Sequence, residues 1–243
     1  MELQAKVALV TGAGIRVGRV LALTLAQGGA RVAVHYNSSD GDARETVRRI
    51  TANGGTAELF QADLSAPGGS RSLIQSVVER MGALDILVNS AAVMVRTPFG
   101  EITRQQWDDI FALNLAAPFF LSQEAAPILK RARGAIVNIA DLAAYETWPA
   151  YIPHGLTKGG IVQMTRALAR VMAPEVRVNA IAPGTVLLPE DMSQRESTHL
   201  VETTPLKRNG TPEDVASAMM FLLRAEYITG ETIIVDGGRH VRR

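Results

Sequence analysis

Apolar runs and amphipathic stretches alternate along nearly the whole chain of 243 residues. The runs Val7–Val10, Arg31–Val34, Ala57–Gln61, Leu84–Asn89, Gly134–Ile139, Arg177–Ile181 and Thr232–Val235 predict strands. They are apolar at consecutive positions, so both faces need cover, which is the condition of parallel strands between helices. Intervening stretches such as Val17–Ala26 repeat apolar residues at helical spacing and predict that cover. No Pro/Ser/Gly-rich linker, charge block or internal repeat divides residues 1–243. The expectation is one α/β domain with a parallel sheet of about seven strands.

Charge changes this picture little. Twenty-five Lys and Arg against 24 Asp and Glu leave a net charge of +1, so there is no electrostatic case for nucleic acid or for an anionic membrane surface. The terminal Arg239-His-Val-Arg-Arg243 reads as a solvated tail. With no cysteine, disulfides and thiolate catalysis are excluded. No apolar run reaches membrane-spanning length and Met1-Glu-Leu-Gln-Ala-Lys lacks a signal-peptide pattern, so a cytoplasmic protein is expected. No His/Asp/Glu group has metal-ligand spacing, and no hydrolase elbow is present.

The first strand leads into chemistry. In Lys6-Val-Ala-Leu-Val-Thr-Gly-Ala-Gly-Ile-Arg-Val-Gly18 an apolar strand runs through a glycine-rich turn into a helix beginning near Arg16. Gly12 lets the chain turn, small Ala13 and Gly14 keep side chains away, and the helix start points free N–H groups at a diphosphate. The spacing Gly-x-Gly-x-x-x-Gly is one residue longer than the usual dinucleotide fingerprint, but strand before and helix after support the same reading. Which dinucleotide is decided about 20 residues further on, at the end of the second strand. There the chain reads Val32-Ala-Val-His-Tyr-Asn-Ser-Ser39, with no carboxylate before Asp40. Tyr36 stands where an NAD-selecting carboxylate would be, and His35, Asn37, Ser38 and Ser39 offer donors to a 2′-phosphate, so NADPH is the expected cofactor. The same Asn-Ser-Ser-Asp run also suits the cap of a helix starting near Gly41, and the two readings are compatible.

Seven motifs then stand in register: Thr11-Gly12 with Gly18, Ala62-Asp63-Leu64, Val88-Asn89-Ser-Ala-Ala92, Asn114 in Leu113-Asn-Leu-Ala, Lys158, Arg177-Val-Asn-Ala-Ile-Ala-Pro-Gly184 and Ile228-Thr-Gly-Glu-Thr-Ile-Ile-Val-Asp-Gly-Gly238. In order and spacing they resemble the short-chain dehydrogenase/reductase family over essentially the whole chain. The resemblance implies a doubly wound Rossmann-type fold, a nicotinamide cofactor, a small-molecule substrate, and a homotetramer or homodimer whose faces include long helices, here Arg104–Arg131 and Pro153–Met172. By position it also implies that Gly12, Ile15 and Gly18 line the diphosphate, Asp63 and Leu64 the adenine, Asn89 and Ala91 the ribose side, and Pro183 and Gly184 the nicotinamide.

The family's catalytic quartet is Asn, Ser, Tyr and Lys. Asn114 and Lys158 match it, but His154 holds the Tyr position and Asp141 the Ser position. His154 and Lys158, at i and i+4, share one helix face. A tyrosine is an acid of pKa about 10 that a neighbouring ammonium must lower, whereas an imidazole starts at about 6.5. An ionised Asp141 would favour imidazolium and Lys158 would disfavour it. An Asp141–His154 pair can thus supply a proton to a carbonyl or imine, with Lys158 holding the nicotinamide ribose. The competing reading is a cofactor-binding protein that has lost proton transfer. Tyr151, one turn earlier, is a third candidate acid, its direction left open by Pro153.

Two departures resemble the pteridine reductase branch: Arg16 where most of the family has glycine, and Asp141 where it has serine. In that branch the arginine reaches the diphosphate and lies by the pterin, and the aspartate works with the tyrosine in proton delivery. His35-Tyr36 and Leu187-Leu-Pro-Glu-Asp-Met192 look similar to it too, while Met94 stands where those enzymes offer an aromatic ring. Residues 187–210, including Pro189, Glu190, Asp191 and Met192, read as a substrate loop over the cofactor. His199 and His240 read as solvated, and Trp107 and Trp148 as packing, with a border of the substrate mouth as the alternative for Trp148.

Overall fold

The structure is a computed structural model that describes residues 1–188 and 193–241. The seven expected strands form, as β1 (Val7–Val10), β2 (Arg31–Tyr36), β3 (Thr56–Gln61), β4 (Ile86–Asn89), β5 (Ala135–Ile139), β6 (Arg177–Pro183) and β7 (Thr232–Val235). All pair in parallel, in the order β3-β2-β1-β4-β5-β6-β7. Leu9 of β1 is level with Ala33 of β2 and Leu87 of β4. The order reverses between β1 and β4, and the carboxyl edge of a doubly wound sheet opens into a ligand crevice at such a reversal.

The helices are α1 (Arg16–Gln27), α2 (Asp40–Ala52), α3 (Gly69–Met81), α4 (Arg104–Phe111), α5 (Ala117–Ala132), α6 (Ile152–Met172), α7 (Gln194–Thr203) and α8 (Pro212–Arg224). Alternation along β1 divides its buried side chains between two cores. Ala8 and Val10 pack with Leu21, Leu25, Val215 and Met219 from α1 and α8. Val7 and Leu9 pack with Leu73, Leu121, Leu129 and Met172 from α3, α5 and α6. Each fully buried leucine stabilises the sandwich by about 2 kcal/mol, so the β1 ends that carry the site are anchored from both sides.

Three expectations change. The helix expected over Arg104–Arg131 is α4 and α5 joined by a π-helical turn at Ala112–Ala116, which carries Asn114. Ala-Leu-Asn-Leu-Ala contains neither glycine nor proline, so helix propensity runs straight through it. Residues 187–210 are not one long loop, because α7 lies within them; Ser193 and Glu196 exchange the two hydrogen bonds of a capping box at its start. Pro189, Glu190, Asp191 and Met192 lie outside the described residues. The terminal segment, finally, is folded back as far as Val241. Asp236 accepts from the His240 backbone N–H at 2.6 Å and pairs with its Nδ1 at 2.8 Å, while Arg239 Nε lies 3.8 Å from Glu146 Oε2. His199 and His240 are both exposed, as expected, and His240 is in addition hydrogen-bonded to Asp236. Among the described residues no helix is long and apolar enough to cross a membrane, and no group of His, Asp and Glu side chains could hold a metal ion.

Candidate active site

Beyond Val10 the chain turns through Thr11–Ile15 into α1. Gly12 has φ +64, and a Cβ there would press on the Ala91 backbone at 3.0 Å. Gly18 lets the first helical turn rest on the loop, since a Cβ would collide with the Gly12 carbonyl oxygen. Ile15, extended and exposed, is the N-cap of α1 and supplies no side-chain acceptor to the first N–H groups. Free donors over a backbone-lined surface form an anion cradle, a surface suited to a diphosphate. Arg16 is exposed with φ +52, left-handed backbone that costs a non-glycine residue about 1 kcal/mol. Thr11 Oγ1 accepts from the N–H groups of Ser90 and Ala91 at 2.9 and 3.0 Å, which clamps the loop after β4, with Ala91, beside Gly12.

At the end of β2 the expected donors separate. His35 is buried; the Gly12 N–H donates to its Nδ1 at 3.2 Å and its Nε2 lies 3.1 Å from the Ala62 carbonyl. Both ring nitrogens are engaged by backbone, so His35 braces the turn from beneath instead of presenting a donor to a 2′-phosphate. Burial pushes its pKa down to about 4, with the Ala62 contact opposing. Asn37 and Ser38 are exposed at the strand end. The Tyr36 hydroxyl donates to Asp40 Oδ1 at 2.7 Å, and Arg44 Nε donates to the other oxygen at 2.7 Å, so the nearest carboxylate is already neutralised.

Two further positions differ from the expected roles. Asp63 is exposed, its carboxylate accepting from the Ser65 N–H, but the Leu64 side chain is buried in the core with Phe60 and Leu73. Asn89 does not point to a ribose: its Nδ2 donates to Asn138 Oδ1 at 2.8 Å, and Asn138 Nδ2 donates to Thr165 Oγ1 at 2.9 Å. This fully buried amide ladder joins β4, β5 and α6. Pro183 closes β6, and the Gly184 N–H donates to the Val235 carbonyl at 2.9 Å.

The catalytic candidates converge where the loops after β4 and β5 meet the start of α6. Asn114 grips the first loop with both ends of its amide, accepting from Val93 N–H and donating to Val93 carbonyl at 2.8 Å each. Its Nδ2 also lies 3.4 Å from His154 Nδ1, which is 3.3 Å from the Val93 carbonyl. Pro153 sits in the first turn of α6, where its missing N–H costs nothing, and brings His154 and Lys158 onto one buried face. His154 Nε2 lies 3.6 Å from Asp141 Oδ2, beyond hydrogen-bond distance. Asp141 Oδ1 accepts from the Ala143 N–H at 2.8 Å, capping the short 3₁₀ turn Leu142–Ala144 and aiming the second oxygen at the imidazole. Lys158 Nζ donates to the Ile139 carbonyl at 2.9 Å, and burial pushes its pKa down to about 8 against the pull of Asp141.

Tyr151 stands outside this cluster as the N-cap of α6, its ring edge-on to Trp148 at 6.4 Å. Trp148 Nε1 donates to Glu146 at 3.1 Å, and Trp107 stacks on Phe111. Sequence reasoning missed the Val93 carbonyl and Thr157, whose hydroxyl lies 3.4 Å from the Asn114 amide. Neither carries a local signal, since both act through contacts distant in sequence.

A doubly wound sheet with a bare phosphate cradle on one side of its reversal point and titratable side chains on the other defines a nucleotide-dependent α/β enzyme. A family model described as enoyl-(acyl carrier protein) reductase matches residues 12–240. A ketoacyl reductase assigned to the granaticin polyketide synthase of Streptomyces violaceoruber is 37% identical over 246 residues, covering 98% of this chain and 97% of that protein. The 3-oxoacyl-(acyl-carrier-protein) reductase FabG of Staphylococcus epidermidis is 35% identical over 242 residues, covering 97% and 99%. The crystal structure of the angucycline C-6 ketoreductase LanV with bound NADP superposes with a TM-score of 0.92 at 31% identity, covering 99% of this chain and 97% of that one. The chain belongs to the short-chain dehydrogenase/reductase family of oxidoreductases.

Proposed function

We propose that this protein reduces a carbonyl group of a ketoacyl or polyketide-like substrate with NADPH. The observation that carries the reading is the convergence of Asn114, Asp141, His154 and Lys158 beside the phosphate cradle, because carbonyl reduction needs a proton source next to a nicotinamide. The ketoacyl reductase and ketoreductase relatives support the substrate class. When bound, NADPH supplies the hydride. Gly12, Ile15, Arg16 and Gly18 would hold its diphosphate, Tyr36, Asn37 and Ser38 its 2′-phosphate end, Asp63 the adenine edge, and Ala91, Pro183, Gly184 and Lys158 the nicotinamide half. His35, Leu64 and Asn89 support these positions from beneath.

A second reading, a pterin, is favoured by Arg16 in its left-handed glycine position together with Asp141. Against it, Met94, 51% exposed, offers a thioether where the resembling branch has an aromatic ring. The test is NADPH oxidation by the purified protein with 3-oxoacyl thioesters, polycyclic ketones, quinones and dihydropterins. Turnover with the first two classes is expected. Turnover with dihydropterins alone would establish the pterin reading, and tight NADPH binding without turnover on any class would make the protein a non-catalytic binder.

Assembly belongs to the same proposal. A groove of about 540 Å³ on α4, α5 and α6 is lined by Phe111, Leu115, Phe119, Phe120 and Met164, with Phe119 and Phe120 exposed. A second copy, in a homodimer or homotetramer, would cover it. Light scattering should report an oligomer that Phe120→Asp breaks.

A further inference from the structure

We infer that Asp40 is a masked carboxylate, and that Arg44, by covering it, keeps the end of β2 open to a 2′-phosphate. Arg44 acts on Asp40 and not on the phosphate. The inference rests on the NADPH reading above. The chain leaving β2 carries no acidic residue until the first turn of α2, which holds Asp40 and Asp42. That turn borders the phosphate cradle. A Cβ on Gly14 would meet Ser39 Oγ at 3.0 Å and the Ala43 backbone nitrogen at 3.3 Å, so α2 begins against the glycine turn. Exposed Asn37 and Ser38 lead into it from Tyr36. A bare carboxylate at this place would repel a phosphate, as an NAD-selecting carboxylate does.

Both acidic groups are covered by arginine, in two different ways. Arg19 reaches Asp42 Oδ1 from α1 at 2.8 Å while its Nε donates to the Gly14 carbonyl at 2.8 Å, so that pair is part of the bracing of the turn. Asp40 accepts from the Tyr36 hydroxyl at Oδ1 and from Arg44 Nε at Oδ2, at 2.7 Å each. Arg44 and then Tyr36 hold its carboxyl below the usual carboxylate range, so near neutral pH it stays ionised and only a paired cation cancels its field. Tyr36 brings a hydrogen bond but no charge. The next cations along α2 are engaged elsewhere, since Arg48 and Arg49 both donate to Glu45. The mask is thus a single i,i+4 ion pair, 47% exposed at the carboxylate and 66% at the arginine, which a change at position 44 dissolves without disturbing the core.

The experiment is fluorescence titration of the purified protein with NADPH and with NADH at low ionic strength, which reads cofactor affinity and needs no substrate. Arg44→Ala should raise the NADPH Kd about fivefold or more and the NADH Kd by no more than about twofold. Arg44→Lys keeps the charge and should bind NADPH within about twofold of the parent. In Arg44→Ala/Asp40→Asn the uncovered charge is gone while an acceptor for the Tyr36 hydroxyl remains, and the NADPH Kd should return to within about twofold of the parent. A double variant as weak as Arg44→Ala would mean that Arg44 contacts the phosphate itself, and the masking role falls. An Arg44→Ala protein that keeps the parent's NADPH Kd overturns the inference as well. Equal affinities of the parent for NADPH and NADH would instead remove the cofactor reading itself, a failure seen before any variant is made.

Discussion

The backbone N–H of Gly12 donates to Nδ1 of His35 while Nε2 of the same ring meets the Ala62 carbonyl. An amide N–H only donates and a carbonyl only accepts, so the ring is held as the neutral Nε2–H tautomer. The phosphate turn is thus braced by a histidine that must stay uncharged.

Acid should therefore loosen this turn. The folded-state pKa of His35 is lowered from 6.5 to about 4, so between those values the unfolded chain binds a proton that the folded chain refuses. The stabilising contribution is complete above pH 6.5 and is lost as pH falls to 4, amounting to up to about 3 kcal/mol. Denaturant unfolding at several pH values should show this loss in the parent and a correspondingly shallower acid dependence in His35→Phe. Superimposable pH dependences for the two would contradict it.

Cofactor choice turns on Tyr36. Its hydroxyl and Arg44 already engage both oxygens of Asp40, leaving no free carboxylate at the end of β2. NADPH should bind more tightly than NADH, and Tyr36→Asp should weaken NADPH by about 1 kcal/mol or more through repulsion of the 2′-phosphate. Fluorescence titration measures both, and equal affinities of the parent for the two cofactors would refute the assignment.

Arg16 pays for its place in backbone strain. Arg16→Gly should stabilise the protein by about 1 kcal/mol by relieving that strain, set against the wider freedom of glycine in the unfolded chain. Arg16→Lys keeps the charge but not the planar fork, and should weaken a flat substrate more than it weakens the cofactor. If thermal stability, substrate KM and cofactor Kd all stay unchanged in both variants, Arg16 is a bystander on the turn.

Lys158 gives the opposite end of the pH scale. Burial lowers its pKa from 10.5 to about 8, so the folded protein releases this proton before the unfolded chain does. The cost of burying the ammonium is carried in full below pH 8 and is relieved as pH rises toward 10.5, so this residue makes stability rise across that window by up to about 3 kcal/mol. Lys158→Met should remove the rise, measured by denaturant unfolding of the cofactor-free protein. A parent curve no steeper than that of the variant between pH 8 and 10.5 would count against it.

The strands were legible because a covered parallel sheet writes itself as consecutive apolar residues, and β1 and β7 match their expected limits. The candidate site was legible as a gathering of residues where type and spacing suffice: Gly12, Gly18, Asn114, Asp141, His154 and Lys158 all lie toward one edge of the sheet. Side-chain direction was not. Leu64, in the turn after β3, and Asn89, at the end of β4, stand where expected along the chain, but both side chains turn into the interior. The π-helical turn is invisible to propensity, and the capping box of α7 was present as Ser193 and Glu196 but overshadowed by the polar run around it. Glu146 and Arg239, whose separation in sequence exceeds any local pattern, meet only once the sheet is assembled.

The buried ladder Asn89–Asn138–Thr165 acts as a gauge of alignment. Asn89 and Asn138 are level across β4 and β5, and their buried amides hydrogen-bond directly. Sliding one strand past the other by a single residue, about 3.3 Å, would turn one amide to the opposite face and leave polar atoms stranded at about 1–3 kcal/mol each. The loops that leave these two strands, bearing Val93 and Asp141, consequently start from the same height, so the interior chemistry of the sheet sets the spacing of groups that flank His154.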